Sequence, residues 1–304
     1  MYDVVIAGAG IAGLTAAIYL RRAGKSVLVL EGKVPGGQII NTLNIENWPG
    51  DMGVSGVELM QKIQKQALEL GVEIEMEEVL RVERGDEFKV ITEDDEYLAK
   101  AVILAVGAEN RKLGMPREDE LTGRGVSYCA TCDGAFYKGK NVAVIGGGNT
   151  ALDDALYLSD LADRVYLVHR RDEFRGDEST VAKLKEKKNV ELVLGYVPEE
   201  LIGEDRVTGV KLVPSGKVAD VTESRELEVS GIFVAIGQVP ATEKFAGLVD
   251  LDEHGYIVAG EDCCTTCSGI FAAGDCRTKS VRQLVTAAGD GSVAAEAALS
   301  FLNA

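Results

Sequence analysis

The 304-residue chain is 46% hydrophobic and carries 49 acidic against 32 basic side chains, a formal charge of −17. It is long enough for two ordinary domains with real cores, it has no apolar run of about 18 residues that would suggest a membrane span, and its acidic balance argues against nucleic acid as a partner. A cytoplasmic protein without membrane or nucleic-acid partners is expected, and the apolar start, broken by Asp3 and by glycines, reads as a strand and not as a signal peptide.

Asp3-Val4-Val5-Ile6-Ala7 reads as a short buried strand running into Gly8-Ala9-Gly10-Ile11-Ala12-Gly13, then an apolar helix to about Arg22 and a second strand over residues 26–30. In that loop Gly8 permits the tight turn, Gly10 lets the backbone approach a pyrophosphate and Gly13 allows close helix packing. Unpaired N–H groups at the helix start favour phosphate. Glu31, 23 positions after Gly8, can accept hydrogen bonds from an adenosine ribose, so the unit reads as a dinucleotide site. Residues 72–76, 78–83 and 88–92 alternate as a small antiparallel meander. Residues 101–107 then read as a buried parallel strand ending at glycine.

After a stretch of linker composition over residues 109–116 comes Cys129-Ala130-Thr131-Cys132. A CxxC can be half a zinc site, an exchangeable disulfide or two buried thiols. Zinc would need two more ligands from Cys263, Cys264 or Cys267, far beyond the usual structural spacing of about 15–20 residues. The pair reads better as exchangeable, since thiolate attack on a disulfide is fast when the thiol's pKa is near ambient pH and access is open. Asp133 follows directly and can give or take the proton that exchange requires. No metal is expected.

The second glycine pattern begins 138 residues after the first: Asn141-Val142-Ala143-Val144-Ile145, then Gly146-Gly147-Gly148-Asn149-Thr150-Ala151, a helix to about Ala162 and a strand over residues 164–168. Here the strand ends at His169, again 23 positions after the first glycine, where the first copy has its acid. Loss of the carboxylate removes repulsion against a 2′-phosphate. Arg170, Arg171 and Arg175 follow, and guanidinium forks match phosphate oxygens, so NADPH is expected over NADH; a solvated basic patch is the alternative. Residues 190–194, 207–213 and 226–229 repeat the meander, and residues 231–237 repeat the strand ending at glycine.

A third apolar run, Gly269-Ile270-Phe271-Ala272-Ala273-Gly274-Asp275, would return the chain to the first sheet, making the second unit an insertion into the first. Asp275 would then lie at the carboxyl end of a strand, where open α/β sheets bind ligands, and a helix starting near Gln283 would aim its N-terminus at the same cofactor. Short linkers over residues 109–116 and 238–244 permit rigid-body rotation. His254 reads as solvated, and Cys263, Cys264, Cys267 and Cys276 as small buried hydrophobes.

Taken together, these motifs, with Pro35-Gly36-Gly37-Gln38 and Glu46-Asn47-Trp48-Pro49-Gly50, resemble those of the low-molecular-weight thioredoxin reductases of bacterial type over essentially the whole chain. The resemblance implies an α/β protein of two Rossmann-like (FAD/NAD(P)-binding) three-layer domains, each with a small antiparallel meander crossover. The FAD domain would be residues 1–112 plus 245–304 and the inserted NADPH domain residues 113–244. It implies a homodimer in which NADPH reduces FAD, FAD reduces the Cys129–Cys132 disulfide, and the dithiol reduces thioredoxin or a thioredoxin-like protein. Cys132 would face the flavin, Cys129 would exchange with the protein partner, and Asp133 would handle protons.

Carried over residue by residue, Gly8, Gly10, Ala12, Gly13 and Glu31 would hold the adenosine and pyrophosphate side of FAD, together with Val79. Gly36, Gly37, Gln38, Asn47, Gly274, Asp275, Arg282 and Gln283 would hold its flavin side. NADPH would lie on Gly146, Gly148, Asn149 and Thr150, with His169, Arg170, Arg171 and Arg175 reading its ribose phosphate, and with Ile236 and Gly237 nearby. Ile11 stands where the family often has proline, and Asn149-Thr150 with Asp153-Asp154 replaces its common Asp-Ser and Glu-Glu. The alternatives are an NADPH-dependent ferredoxin or flavodoxin reductase, whose relatives lack the CxxC, and a flavin-binding redox sensor.

Overall fold

The computed structural model describes residues 1–42 and 45–304, which form two compact units, Met1–Glu109 with Val239–Ala304, and Asn110–Gln238. The first begins with β1 (Tyr2–Ala7), α1 (Ile11–Arg22), β2 (Val27–Leu30), α2 (Gly56–Glu69), β3 (Glu73–Glu75), β4 (Arg81–Arg84), β5 (Phe88–Ile91) and β6 (Glu96–Leu104). Successive side chains of a strand point to opposite faces, and here both faces are covered. Val4, Ile6, Val27 and Val29 enter one core with α1. Val5, Ala7, Leu28 and Leu30 enter another with Val82, Phe88 and Val90. That is why β1 and β2 read as unbroken apolar runs instead of alternating ones.

The second unit lies between β7 (Ala108–Asn110) and β16 and contains α3 (Glu118–Leu121), β8 (Val126–Ser127), α4 (Ala130–Asp133), β9 (Asn141–Gly146), α5 (Asn149–Ser159), β10 (Arg164–His169), α6 (Glu178–Glu186), β11 (Val190–Leu194), β12 (Tyr196–Ile202), β13 (Gly209–Pro214), β14 (Arg225–Glu228) and β15 (Gly231–Ala235). Its parallel sheet runs β11-β10-β9-β15-β8. After β16 (Gln238–Pro240) the chain re-enters the first unit through β17 (Ile270–Ala272) and α7 (Leu284–Leu302). The two passages of chain between the units, β7 and β16, pair with each other. β17 pairs in parallel with the last residues of β6, Ile270 opposite Val102, as the third apolar run had suggested.

Two strand assignments change. Residues 72–76 and 190–194, expected to open the meanders, belong instead to the parallel sheets: β3 pairs with β2 and β11 with β10, both in parallel. The meanders are β4, β5 and the first half of β6 in one unit, and β12, β13 and β14 in the other. An edge strand of a parallel sheet is only half covered, so Glu73-Ile74-Glu75 shows the same alternation as a hairpin strand. β12 escapes the pattern because Pro198 and two glutamates interrupt its apolar residues. Its ladder shifts register between Pro198 and Glu200, the irregularity that a residue without an N–H favours.

Candidate functional site

In the first unit, the glycine loop separates steric demands from a ligand cradle. A Cβ on Gly8, whose φ is +107°, would stand 2.4 Å from the Ala105 carbonyl oxygen, and one on Gly13 only 1.9 Å from that of Gly8. Gly10 differs, because a Cβ there meets nothing within 4 Å, and α1 starts at it without a side-chain cap. Open space before uncapped helix N–H groups suits a pyrophosphate. Glu31 reaches back from the end of β2, accepting the N–H groups of Ala9 at 2.8 Å and Lys33 at 3.0 Å. The Gly36-Gly37 turn lies alongside: Gly36 N–H donates to the Ala9 carbonyl at 2.9 Å, and a Cβ on Gly37 would be 3.9 Å from the Gly10 Cα. Gly13→Ala is expected to destabilise the protein by about 1–3 kcal/mol, as overpacking does. Urea unfolding checks it, and an unchanged midpoint would show that α1 shifts freely.

At the end of β17, Gly274 has φ +80°, and a Cβ there would stand 2.9 Å from that of Ala12. The next residue, Asp275, carries a carboxylate oxygen, Oδ1, that is buried and has no partner. Burial pushes its pKa up, against the pull of Lys279 and Arg282. A buried acceptor without a donor fits a ligand hydroxyl. Gln283 caps α7 in a reciprocal arrangement with Thr286, and Asn47 Nδ2 donates to Gln283 Oε1 at 3.3 Å. Arg282 stacks 4.1 Å over the Tyr256 ring, and Gln38 Nε2 donates to the Ala108 carbonyl. Val79 is 4% exposed in the core under the meander, leaving only its backbone for a ligand.

The second glycine loop has the same division of labour. A Cβ on Gly146 would lie 2.3 Å from the Ala235 carbonyl oxygen, whereas Gly148 faces open space. Gly147 has a separate reason, because a Cβ there would be 2.2 Å from the His169 ring. His169 is buried, stacks on Phe174 at 5.4 Å, and leaves Nε2 without a partner. Burial above all, assisted by the charges of Arg175, Arg170 and Arg171, pushes its pKa down, so the ring is neutral. Arg175 N–H donates to the Gly147 carbonyl at 2.8 Å, which brings the arginine segment to the loop. Among the described residues, the three guanidinium groups form no ion pair with a carboxylate. Asn149 Oδ1 accepts the Asp177 N–H at 2.7 Å, Thr150 is exposed, and Ile236 and Gly237 follow β15, with Gly237 at φ +106°.

Cys129 and Cys132 are joined as a disulfide across the start of α4. Asp133 closes that turn, its N–H donating to the Cys129 carbonyl at 3.1 Å. Burial pushes the Asp133 pKa up, and a hydrogen bond from Ser127 pulls it back. Ser127 was not anticipated. Its Oγ donates to Asp133 Oδ2 at 2.7 Å and accepts the Cys129 N–H at 3.1 Å, joining the acid to the backbone of the first cysteine. The Asp133 charge and, above all, burial push nearby Tyr137 up to about 12. Of the remaining thiols Cys263, Cys267 and Cys276 are buried, but Cys264 is exposed, correcting its assignment to the core. Among the described residues no group of three or more His, Cys, Asp or Glu side chains could hold a metal ion.

The pattern of the pyridine nucleotide-disulphide oxidoreductase family matches residues 2–291. A thioredoxin reductase of Listeria innocua is 45% identical over 304 residues, covering 99% of this chain and 94% of its own. That of Bacillus subtilis is 43% identical over 97% of this chain and 93% of its own. The crystal structure of a Streptococcus pyogenes thioredoxin reductase superposes with a TM-score of 0.94 at 39% identity, covering all of this chain and 98% of that one.

Proposed function

We infer that this chain, which belongs to the pyridine nucleotide-disulphide oxidoreductase family, is an NADPH-dependent thioredoxin-disulfide reductase, the activity named for its full-length relatives. The observation that carries the reading is the Cys129–Cys132 disulfide beside the half-buried Asp133, in the unit whose second strand, β10, is followed by three arginines without a carboxylate partner among the described residues. FAD supplies, when bound, the two-electron carrier between a nicotinamide hydride and a disulfide that no side chain can replace. In the first unit Gly10 and the start of α1 would hold its pyrophosphate, Glu31 its ribose, and Asp275 a hydroxyl. In the second, Gly148 and the start of α5 would hold the NADPH pyrophosphate, with Arg170, Arg171 and Arg175 on the 2′-phosphate.

The balance is NADPH + H⁺ + oxidised thioredoxin → NADP⁺ + reduced thioredoxin. Once the Cys129–Cys132 bond has taken up two electrons, the Cys129 thiolate attacks one sulfur of the partner's disulfide. That S–S bond breaks, a mixed disulfide forms, and the leaving thiolate takes a proton. Cys132 then attacks the Cys129 sulfur, the second partner thiolate leaves, and the internal disulfide is restored. Asp133 is the group that holds and passes these protons, and its raised pKa keeps it protonated to higher pH than a solvated aspartate.

A homodimer is proposed, which sedimentation will test. No helix among the described residues is long and apolar enough to cross a membrane. We place the protein in the cytoplasm, where disulfides are continuously reduced. The assay for the reading is NADPH consumption that depends on oxidised thioredoxin; consumption with ferredoxin or flavodoxin alone would reject it.

A pH effect follows from Asp133. Protonated Asp133 is the active donor, so the rate of thioredoxin reduction falls as pH rises through its pKa. Ser127→Ala removes the hydrogen bond that lowers that pKa, so the descending limb should move to higher pH. Asp133→Asn should lose the limb altogether and about 10²-fold or more in rate, the usual contribution of general acid catalysis. A limb that moves to lower pH in Ser127→Ala would contradict the assignment.

A further inference from the structure

Behind the Asp275 turn lies a buried ionic cluster that the glycine motifs do not announce. Asp290, on α7, accepts Arg277 Nε at 2.8 Å and Lys279 Nζ at 2.9 Å on Oδ2, and Arg277 Nη2 at 2.7 Å on Oδ1. The three side chains are 10%, 9% and 7% exposed for Asp290, Arg277 and Lys279. Oδ2 takes one further donor, the backbone N–H of Gly274, at 2.9 Å. Arg277 is also tied to the Ala259 and Thr278 carbonyls at 3.4 and 3.0 Å, and the Cys263 thiol donates to the Asp290 carbonyl at 3.5 Å.

Desolvating three charges costs several kcal/mol per ion, and well-packed apolar residues often serve stability as well or better. Stability is therefore a poor account of this cluster. What distinguishes it is the group it grips. The turn Gly274–Cys276 has no side-chain cap of its own, and Gly274 is the residue immediately before Asp275, whose Oδ1 is buried without a partner. Asp290 thus ties the peptide leading into Asp275 to α7, while Gly291 packs α7 so closely on α1 that a Cβ there would be 2.2 Å from the Ala12 carbonyl oxygen.

We propose that Asp290, balanced by Arg277 and Lys279, is a positioning residue for the flavin: it fixes the Gly274–Asp275 turn so that the Asp275 carboxylate is aimed at the cofactor before the cofactor arrives. This rests on the reading of the first unit as the FAD site. Asp290 touches no part of the reacting groups and acts only through the Gly274 N–H. Preorganisation of this kind tightens binding by removing the ordering that binding would otherwise require.

The test separates the acceptor from the charges. In a background of Arg277→Met and Lys279→Met, which leaves no buried cation unpaired, Asp290→Asn keeps an acceptor for the Gly274 N–H and Asp290→Leu removes it at similar volume. Flavin retention is read by recovery of flavin fluorescence on dilution of each holoenzyme, with thermal unfolding of the same samples alongside. The Asn variant should retain FAD nearly as the wild type does, and the Leu variant about tenfold more weakly, as expected for one unmade buried hydrogen bond. Equal retention in the two variants, whatever their unfolding temperatures, overturns the proposal. Should the variants not fold, amide exchange in the wild-type holoenzyme decides: Gly274 N–H must be as protected as the α7 core, and exchange at the rate of a solvated loop overturns it. Wild-type protein that binds no FAD would instead reject the underlying site reading.

Discussion

Replacing Cys132 by serine is expected to lower thioredoxin reduction by about a thousandfold or more, since no redox disulfide can then form and nucleophilic relays fail as a unit. The serine hydroxyl fits the space of the thiol but stores no electrons. Cys129 remains and can attack a partner disulfide once, yet without Cys132 it has no resolving thiol. Bound FAD and slow NADPH oxidation by artificial acceptors should survive, because the residues proposed to hold both nucleotides are untouched. Measurement of flavin content, artificial-acceptor turnover and thioredoxin turnover on one sample separates these outcomes. Unchanged thioredoxin reduction would overturn the relay.

The second large effect concerns coenzyme choice. Replacing Arg170, Arg171 and Arg175 together by neutral residues should lower kcat/KM for NADPH by about a hundredfold, the sum of several charge-assisted contacts discounted for their exposure. The value for NADH should change little. The physical ground is that these three guanidinium groups have no carboxylate partner among the described residues, so a 2′-phosphate would not compete with an existing ion pair. His169, buried and held neutral beside them, contributes no carboxylate to repel that phosphate. Equal losses with NADPH and NADH would mean that the arginines serve the loop and not the phosphate.

The parts of this protein that were legible in its sequence are those where one residue type alone satisfies a steric demand. Gly8, Gly13 and Gly146 are each pressed by a backbone carbonyl, so the motif and the strand–loop–helix around it are inseparable. The return strand β17 was legible for a related reason: an apolar run this dense makes sense only when covered on both faces. The edge strand β3 was not, because a half-covered strand has the same alternation in parallel and antiparallel surroundings. Ser127 was not, since a serine two residues before a cysteine has many uses and only its distances to Asp133 and Cys129 reveal one. The Arg277–Asp290 pair joins a turn to a helix across 13 residues, a partnership that no periodicity in a single sequence encodes.

Electrons are expected to pass from NADPH through bound flavin and Cys129–Cys132 to a protein disulfide. The most direct measurement follows the flavin absorbance of the purified holoenzyme without oxygen, first on addition of NADPH and then of oxidised thioredoxin. Bleaching by NADPH, followed by thioredoxin-dependent recovery with matching consumption of coenzyme, is the expected result. Bleaching that oxidised thioredoxin fails to reverse would contradict it.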